Sequence, residues 1–151
     1  MKLDSTKPIH VTGLAGNVGR AAVRGLQEAG WKVRGFDRVS SPDLTDYAVA
    51  DLTDYASLKK AAEGVGAIIH LAAVPDDDDF LTRLMPSNLV GLYHVLEGAK
   101  HASVRRVLLA STGQVVWWRL LEGPWPIRPD APYSPRDWYA VTKVATEAAG
   151  Q

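Results

Sequence analysis

Residues 8–37, PIHVTGLAGNVGRAAVRGLQEAGWKVRGFD, decide the architecture. The apolar run at 8–12 reads as a short strand. Residues 17–29 repeat apolar side chains at helical spacing, and Gly30 follows as a stop, since glycine accepts the left-handed backbone that ends many helices. WKVRGFD, 31–37, reads as a second strand. Strand, helix, strand within thirty residues is the building unit of a parallel sheet. The connection between the first strand and the helix carries Gly13, Gly16 and Gly19 at a spacing of three.

The remainder of the chain repeats that alternation. YAVAD, 47–51, predicts a third, short strand, after which Thr53 or Asp54 supplies a cap for the helix YASLKKAAEG, 55–64. GAIIHLAA, 66–73, predicts a fourth strand, and its near-continuous apolar character fits a sheet covered on both faces. A run of four aspartates, Asp76 to Asp79, leads through FLTRLM and Pro86 to a helix over 87–102, in which Leu89, Leu92, Tyr93, Leu96 and Ala99 recur at helical spacing. Pro86 is tolerated near that helix start, because the first turn has no partner for its N–H. RRVLLAS, 105–111, predicts a fifth strand, residues 117–138 a loop rich in proline and tryptophan, and a last helix begins near Trp138. The predicted class is α/β: a Rossmann-type doubly wound parallel sheet of five strands with flanking helices, one domain over 1–151. In such sheets ligands bind at the carboxyl ends of the strands, where the strand order reverses.

Composition narrows the function. Lys and Arg total 17 against 17 Asp and Glu, with no long basic run, so a small-molecule partner fits better than nucleic acid or a membrane surface. With no cysteine there is neither thiolate catalysis nor cysteine-ligated zinc. The polar opening MKLDSTKP leads into no apolar segment of signal or membrane length, and a cytoplasmic location is expected. His10, His70, His94 and His101 show no metal-ligand spacing, and the aspartate run lacks the alternating ligands and glycine of a calcium loop, so no metal is expected.

The glycines have a physical reading. A turn from a strand straight into a helix needs backbone conformations that side chains disfavour, which Gly13 supplies. Gly16 lets the main chain approach a pyrophosphate, and Gly19 lets the helix pack closely on the sheet. The unpaired N–H groups around Asn17 and Val18 and the positive end of the helix dipole then face the phosphates. Asp37 closes the second strand 18 residues after Gly19, where a carboxylate accepts from ribose hydroxyls and repels a 2′-phosphate. NAD is therefore expected over NADP, with the neighbouring Arg38 as the group that could receive the phosphate instead.

TGLAGNVG has the T-G-x-x-G-x-x-G spacing of short-chain dehydrogenases/reductases, and the chain resembles the extended branch of that superfamily, the NAD-dependent epimerase/dehydratase family. ADLTD resembles the family's D-x-x-D after strand three. There the resemblance implies that Asp51 accepts from the adenine amino group and Leu52 packs on the ring. HLAA resembles the strand-four segment lying along the cofactor, which assigns Leu71, Ala72 and Ala73 to it. NLVGLYHVLEGA resembles the central helix, whose Asn88 is implied to help position a catalytic lysine. LLAST followed by YAVTK resembles the catalytic Ser/Thr, Tyr and Lys. PSNLVGLYHVLEGA is also similar to uronate-oxidising dehydrogenases of the family. The implied substrate is a sugar, sugar acid or nucleotide sugar.

Tyr139 and Lys143 are four apart on a helix and share a face. An ordinary tyrosine, with a pKa near ~10, is a poor acid or base at neutral pH, and a nearby ammonium is expected to lower it. Lys143 would also hold the nicotinamide ribose, and Thr112 would hydrogen-bond the substrate oxygen, with Ser111 the neighbouring candidate. Trp117, Trp118 and Trp125 follow the fifth strand as residues of a sugar-stacking pocket or of the core. VVW stands where the family usually has V-Y-G. Family members continue well past the lysine, so the chain is expected either to lack the family's C-terminal part, as a fragment, or to be a non-catalytic dinucleotide-binding or sensor domain. A second chain covering the open half is the further alternative. The resemblance implies a homodimer formed through the central and catalytic helices.

Overall fold

The computed structural model describes residues 3–41 and 44–151. Met1 and Lys2 of the polar opening, and Pro42 and Asp43, lie outside the described residues. Five strands, β1 (Ile9–Thr12), β2 (Val33–Asp37), β3 (Tyr47–Val49), β4 (Ala67–His70) and β5 (Val107–Leu109), form one parallel sheet in the order β3-β2-β1-β4-β5. The order reverses between β1 and β4, so a crevice opens at their carboxyl ends. Thr12 pairs with Phe36 on one side and with His70 on the other, and this register brings the residues after all three strands to one rim.

The two faces of the sheet are read off β1. Ile9 and Val11 point to a cluster with Leu14, Val33 and Val23 of helix α1 (Asn17–Glu28). On the opposite face Phe36 and Ile68 pack with Leu58, Ala61 and Ala62 of α2 (Tyr55–Ala62) and with Val95 and Ala99 of α3 (Gly91–His101). His10 and Thr12 are the fully buried polar residues of β1 on that second face. The cap of α2 is Asp54 rather than Thr53, its carboxylate accepting from Ser57 N–H and Ser57 Oγ. Arg34 of β2 fastens the other end of α2, donating to the carbonyls of Ala61 and Glu63 and pairing with Asp46.

Several elements differ from the sequence reading. The fourth strand ends at His70, so Leu71, Ala72 and Ala73 leave the sheet and turn into the crevice. The helix expected from residue 87 begins earlier, as a π-helical segment over Phe80–Val90 that runs directly into α3, with Pro86 inside it and Asp79 capping its start through Thr82 N–H. The widened turn of a π segment has room for a proline ring that a regular helix interior would reject. The stretch expected to be a loop holds a short 3₁₀ turn, Gly113–Val116, followed by α4 (Trp117–Glu122). The last helix, α5 (Trp138–Ala149), starts where expected and is capped by Asp137 through Ala140 N–H. Its Tyr139 packs with Leu84 of the π segment and with Val74 of the segment after β4.

Candidate functional site

The crevice is a cleft of about 650 Å³ at the carboxyl ends of β1, β2 and β4. Gly13, Gly16, Asn17, Val18 and Gly19 line it, as do Asp37, Arg38, Asp51 and Leu52. Leu71, Ala72 and Ala73, which follow β4, line it as well. Residues the sequence reading did not single out complete it: Ala15, Phe36, Val39, Ala50, Pro75 and Ser87. Most of these flank predicted residues by one position, a proximity that marks them in retrospect.

The three glycines do different work. Gly13 has φ +76°, and a Cβ on it would lie 2.6 Å from Ala72 N. A Cβ on Gly19 would lie 2.0 Å from the Gly13 carbonyl oxygen, so the close packing is between the helix and the turn itself. Gly16 has ordinary extended backbone, φ −71° and ψ 167°, and a Cβ there would meet nothing nearer than 3.4 Å. No side chain caps α1 at Gly16, so its first-turn N–H groups have no side-chain partner there. Arg20 closes the turn from below, donating to the Ala15 carbonyl and to Asn17 Oδ1.

Asp37 accepts from Ala15 N–H at 3.0 Å and from Val39 N–H at 3.3 Å, tying the end of β2 to the glycine turn. Arg38 is directed at Asp51, 3.9 Å from Nε to Oδ2. Asp51 also accepts from Thr53 N–H and Oγ1, and these bonds hold its carboxyl below the usual range. Leu52 is buried against Gly91, where a Cβ would approach its own Cβ to 2.8 Å.

Thr112, Tyr139 and Lys143 meet beyond the end of β5. The Thr112 and Tyr139 side chains hydrogen-bond, and Lys143 Nζ lies 5.9 Å from the Tyr139 ring centre while donating to the Ala110 carbonyl at 3.0 Å. Burial pushes the Tyr139 phenol above its usual value. The Thr112 bond pulls it back, and the charges of Asp76 and Asp137 add to the rise. This corrects the expectation that Lys143 lowers the phenol: the ammonium is aimed at a carbonyl, and burial depresses its own pKa. Ser111 points elsewhere, donating to Glu147 Oε1 at 2.5 Å. Glu147 was not singled out in the sequence, although it stands one helical turn past Lys143.

Asn88 makes no direct bond to Lys143 among the described residues. Its side chain accepts from Val74 N–H at 2.8 Å and donates to the Val74 carbonyl and to Thr142 Oγ1. It therefore clamps the segment after β4 to α5 one residue before Lys143. Thr142, buried completely, passes the contact on to the Tyr139 carbonyl. Trp118 and Trp125 are 49% and 66% exposed, so they are not core. Trp117 lies under the Arg136 guanidinium, 5.3 Å from its ring centre. Among the described residues no group of three or more histidine, aspartate or glutamate side chains is placed to hold a metal ion, and no helix is long and apolar enough to cross a membrane.

A 3-2-1-4-5 parallel sheet with a glycine turn at the switch point and a carboxylate closing β2 defines a Rossmann-type nucleotide-binding fold. The chain belongs to the NAD dependent epimerase/dehydratase family, whose profile matches residues 9–151. It is 34% identical to an L-arabinose 1-dehydrogenase (NAD(P)(+)) of Haloferax volcanii, covering 94% of this chain and 59% of that protein. It is 29% identical to a uronate dehydrogenase of Pseudomonas syringae pv. tomato over 82% of this chain and 47% of that one. Among solved structures, a short-chain dehydrogenase/reductase superfamily protein from Agrobacterium tumefaciens with bound NAD superimposes with TM-score 0.83 at 36% identity, covering 93% of this chain and 43% of the other. The chain thus spans about half the length of the relatives it matches.

Proposed function

We propose that this chain binds NAD across the carboxyl ends of its strands and presents Thr112, Tyr139 and Lys143 to a sugar-type substrate for hydride transfer. The observation that carries this reading is the open backbone at Gly16. The protein itself has no steric need for glycine there, and the uncapped N–H groups of α1 beside it suit a pyrophosphate. Asp37 is the acceptor for the adenosine ribose, Asp51 and Leu52 flank the adenine, and Leu71, Ala72 and Ala73 lie along the cofactor. NAD supplies the carbon that accepts or donates hydride. Tyr139 moves the proton at the substrate oxygen, Thr112 orients that oxygen through its hydroxyl, and Lys143 holds the nicotinamide ribose. Ser111 is engaged by Glu147, which favours Thr112 as the orienting hydroxyl. The arabinose and uronate dehydrogenases among the relatives support a sugar or sugar acid as the substrate class.

Titration with NADH and with NADPH, followed by tryptophan fluorescence, tests the cofactor. NADH is expected to bind at least about tenfold more tightly, because a 2′-phosphate would meet the Asp37 carboxylate. Saturation by neither nucleotide would overturn the proposal. Tyr139→Phe separates binding from chemistry: NADH affinity is retained and sugar-dependent NADH formation is lost. Nucleotide binding without turnover in either form would favour a non-catalytic dinucleotide-binding module.

A further inference from the structure

The turn that carries Asp51 and Leu52 is joined to helix α3 by His94, a residue that does not itself line the cleft. His94 Nδ1 lies 2.9 Å from the Leu52 carbonyl oxygen. A carbonyl only accepts, so Nδ1 carries the proton and donates it. No backbone N–H among the described residues bonds to that carbonyl, which leaves its hydrogen bonding to His94. One face of α3 therefore grips the turn twice. Gly91 receives the Leu52 side chain, where a Cβ would come within 2.8 Å of Leu52 Cβ, and His94, three residues on, takes the carbonyl. The imidazole packs in turn against two rings, Tyr55 of α2 at 5.3 Å and its chain neighbour Tyr93 at 5.9 Å between ring centres.

Leu52 is the buried member of this turn, while Thr53, Asp54 and Tyr55 are exposed, so the turn meets α3 through Leu52. Asp51 precedes it. Its Oδ1 accepts from Thr53 N–H at 2.9 Å and from Thr53 Oγ1 at 2.8 Å. Its Oδ2 makes no hydrogen bond among the described residues, with Arg38 Nε standing 3.9 Å away. The carboxylate is thus fixed to the turn, and one of its oxygens is left for a donor in the cleft. Such an acceptor discriminates between ligands only when it is held in place, because a loosely held carboxylate turns to water instead. Asp51 is one peptide unit from the Leu52 carbonyl, so the bond from His94 governs where that carboxylate stands.

We infer that His94 is a positioning residue for base recognition: through the Leu52 carbonyl it sets the Asp51 carboxylate against the adenine amino group, and so makes the cleft select adenine over a purine with a carbonyl at that position. The inference rests on the proposed function in placing the adenine at Asp51 and Leu52. Asp37 is tied to Ala15 and Val39 instead, so the choice of base and the choice of ribose are set by separate groups.

The test is titration of the chain with NADH, NADPH and reduced nicotinamide hypoxanthine dinucleotide, whose base has a carbonyl in place of the amino group, followed by tryptophan fluorescence. The parent is expected to bind NADH at least about tenfold more tightly than the hypoxanthine analogue, the scale of one hydrogen bond to a charged group. His94→Leu removes the donor and should bring that ratio to about threefold or less, while the preference for NADH over NADPH stays as in the parent. His94→Asn, whose amide NH₂ stands where Nδ1 does, should restore the ratio. A purely structural role would lower the melting temperature and weaken both preferences together, and that result would overturn the inference. So would a base preference that survives His94→Leu, or a parent that binds the two bases alike. Where His94→Leu does not fold, His94→Ala, a strong helix former at a half-buried position, gives the same reading. Failure of the parent to bind NADH at all overturns the proposed function as well.

Discussion

Gly13 and Gly16 are the same residue three positions apart, and their surroundings call for glycine for opposite reasons. At Gly13 the protein itself demands it, through φ +76° and a Cβ position 2.6 Å from Ala72 N. At Gly16 the backbone is one any residue adopts and the nearest atom is 3.4 Å away. Gly13→Ala is therefore expected to destabilise the fold by about 2–3 kcal/mol, combining left-handed backbone strain with a backbone clash. Gly16→Ala should leave the thermal midpoint nearly unchanged and weaken NADH binding. A differential scanning and titration pair checks both, and a loss of stability at Gly16 would sink the assignment. The hydroxyls after β5 are separable in the same way. Thr112→Ala is expected to lower sugar-dependent NADH formation by about 100-fold, as loss of a group that orients or stabilises the reacting oxygen does. Ser111→Ala, which removes only the bond to Glu147, should leave the rate within a few-fold of the parent; the reverse ranking would transfer the role to Ser111. The spacing of the glycines was legible in the sequence. Which hydroxyl was already engaged was not, because Glu147 is 36 residues away from Ser111 along the chain.

At the scale of elements, the π segment shows why periodicity alone placed the third helix too late. Counting apolar residues at 3.6 per turn finds α3, but Phe80–Val90 winds more widely, with Leu84 N–H bonded five residues back to the Asp79 carbonyl. The Pro86 ring interrupts any regular pattern there. The same winding turns Asn88 inward, where its amide satisfies the N–H and the carbonyl of Val74 and the hydroxyl of Thr142. Family resemblance named Asn88 from sequence, yet its partners depend on a bend that no local residue preference announces. Asn88→Leu keeps the volume and removes all three bonds, leaving the Val74 groups buried and unpaired. The expected cost is about 3 kcal/mol in urea unfolding, near the upper end for one side chain because two backbone groups lose partners together. A cost under about 1 kcal/mol would show that water replaces the amide and that the clamp is dispensable.

Over the whole molecule, the alternation of strands and helices was legible because each strand is a short apolar run bounded by turn residues, and the parallel order follows from that alternation. The polar content of the sheet core was not. His10 and His70 occupy buried positions of β1 and β4 on the face packed by α2 and α3, at 1% and 5% exposure. His10 donates Nδ1–H to the Arg34 carbonyl, leaving Nε2 buried and without a partner among the described residues, and His70 Nδ1 shares a hydrogen bond of 2.7 Å with the Thr12 hydroxyl. Burial lowers His10 from 6.5 to about 4 and, with the charge of Lys143 adding to it, His70 from 6.5 to about 3. Both groups are neutral in the folded chain at pH values where the unfolded chain binds protons. Their contribution to stability is thus complete above about pH 6.5 and is lost progressively as the pH falls toward 4 and 3. For two such groups the unfolding free energy should drop by about 4 kcal/mol between pH 7 and pH 5, at roughly 1.4 kcal/mol per pH unit per proton. Urea unfolding at pH 7, 6 and 5 reads this directly. His10→Gln, which keeps a donor for the Arg34 carbonyl but cannot titrate, should remove about half of the slope; a pH-independent midpoint in the parent chain would mean that the buried histidines take up protons as easily folded as unfolded.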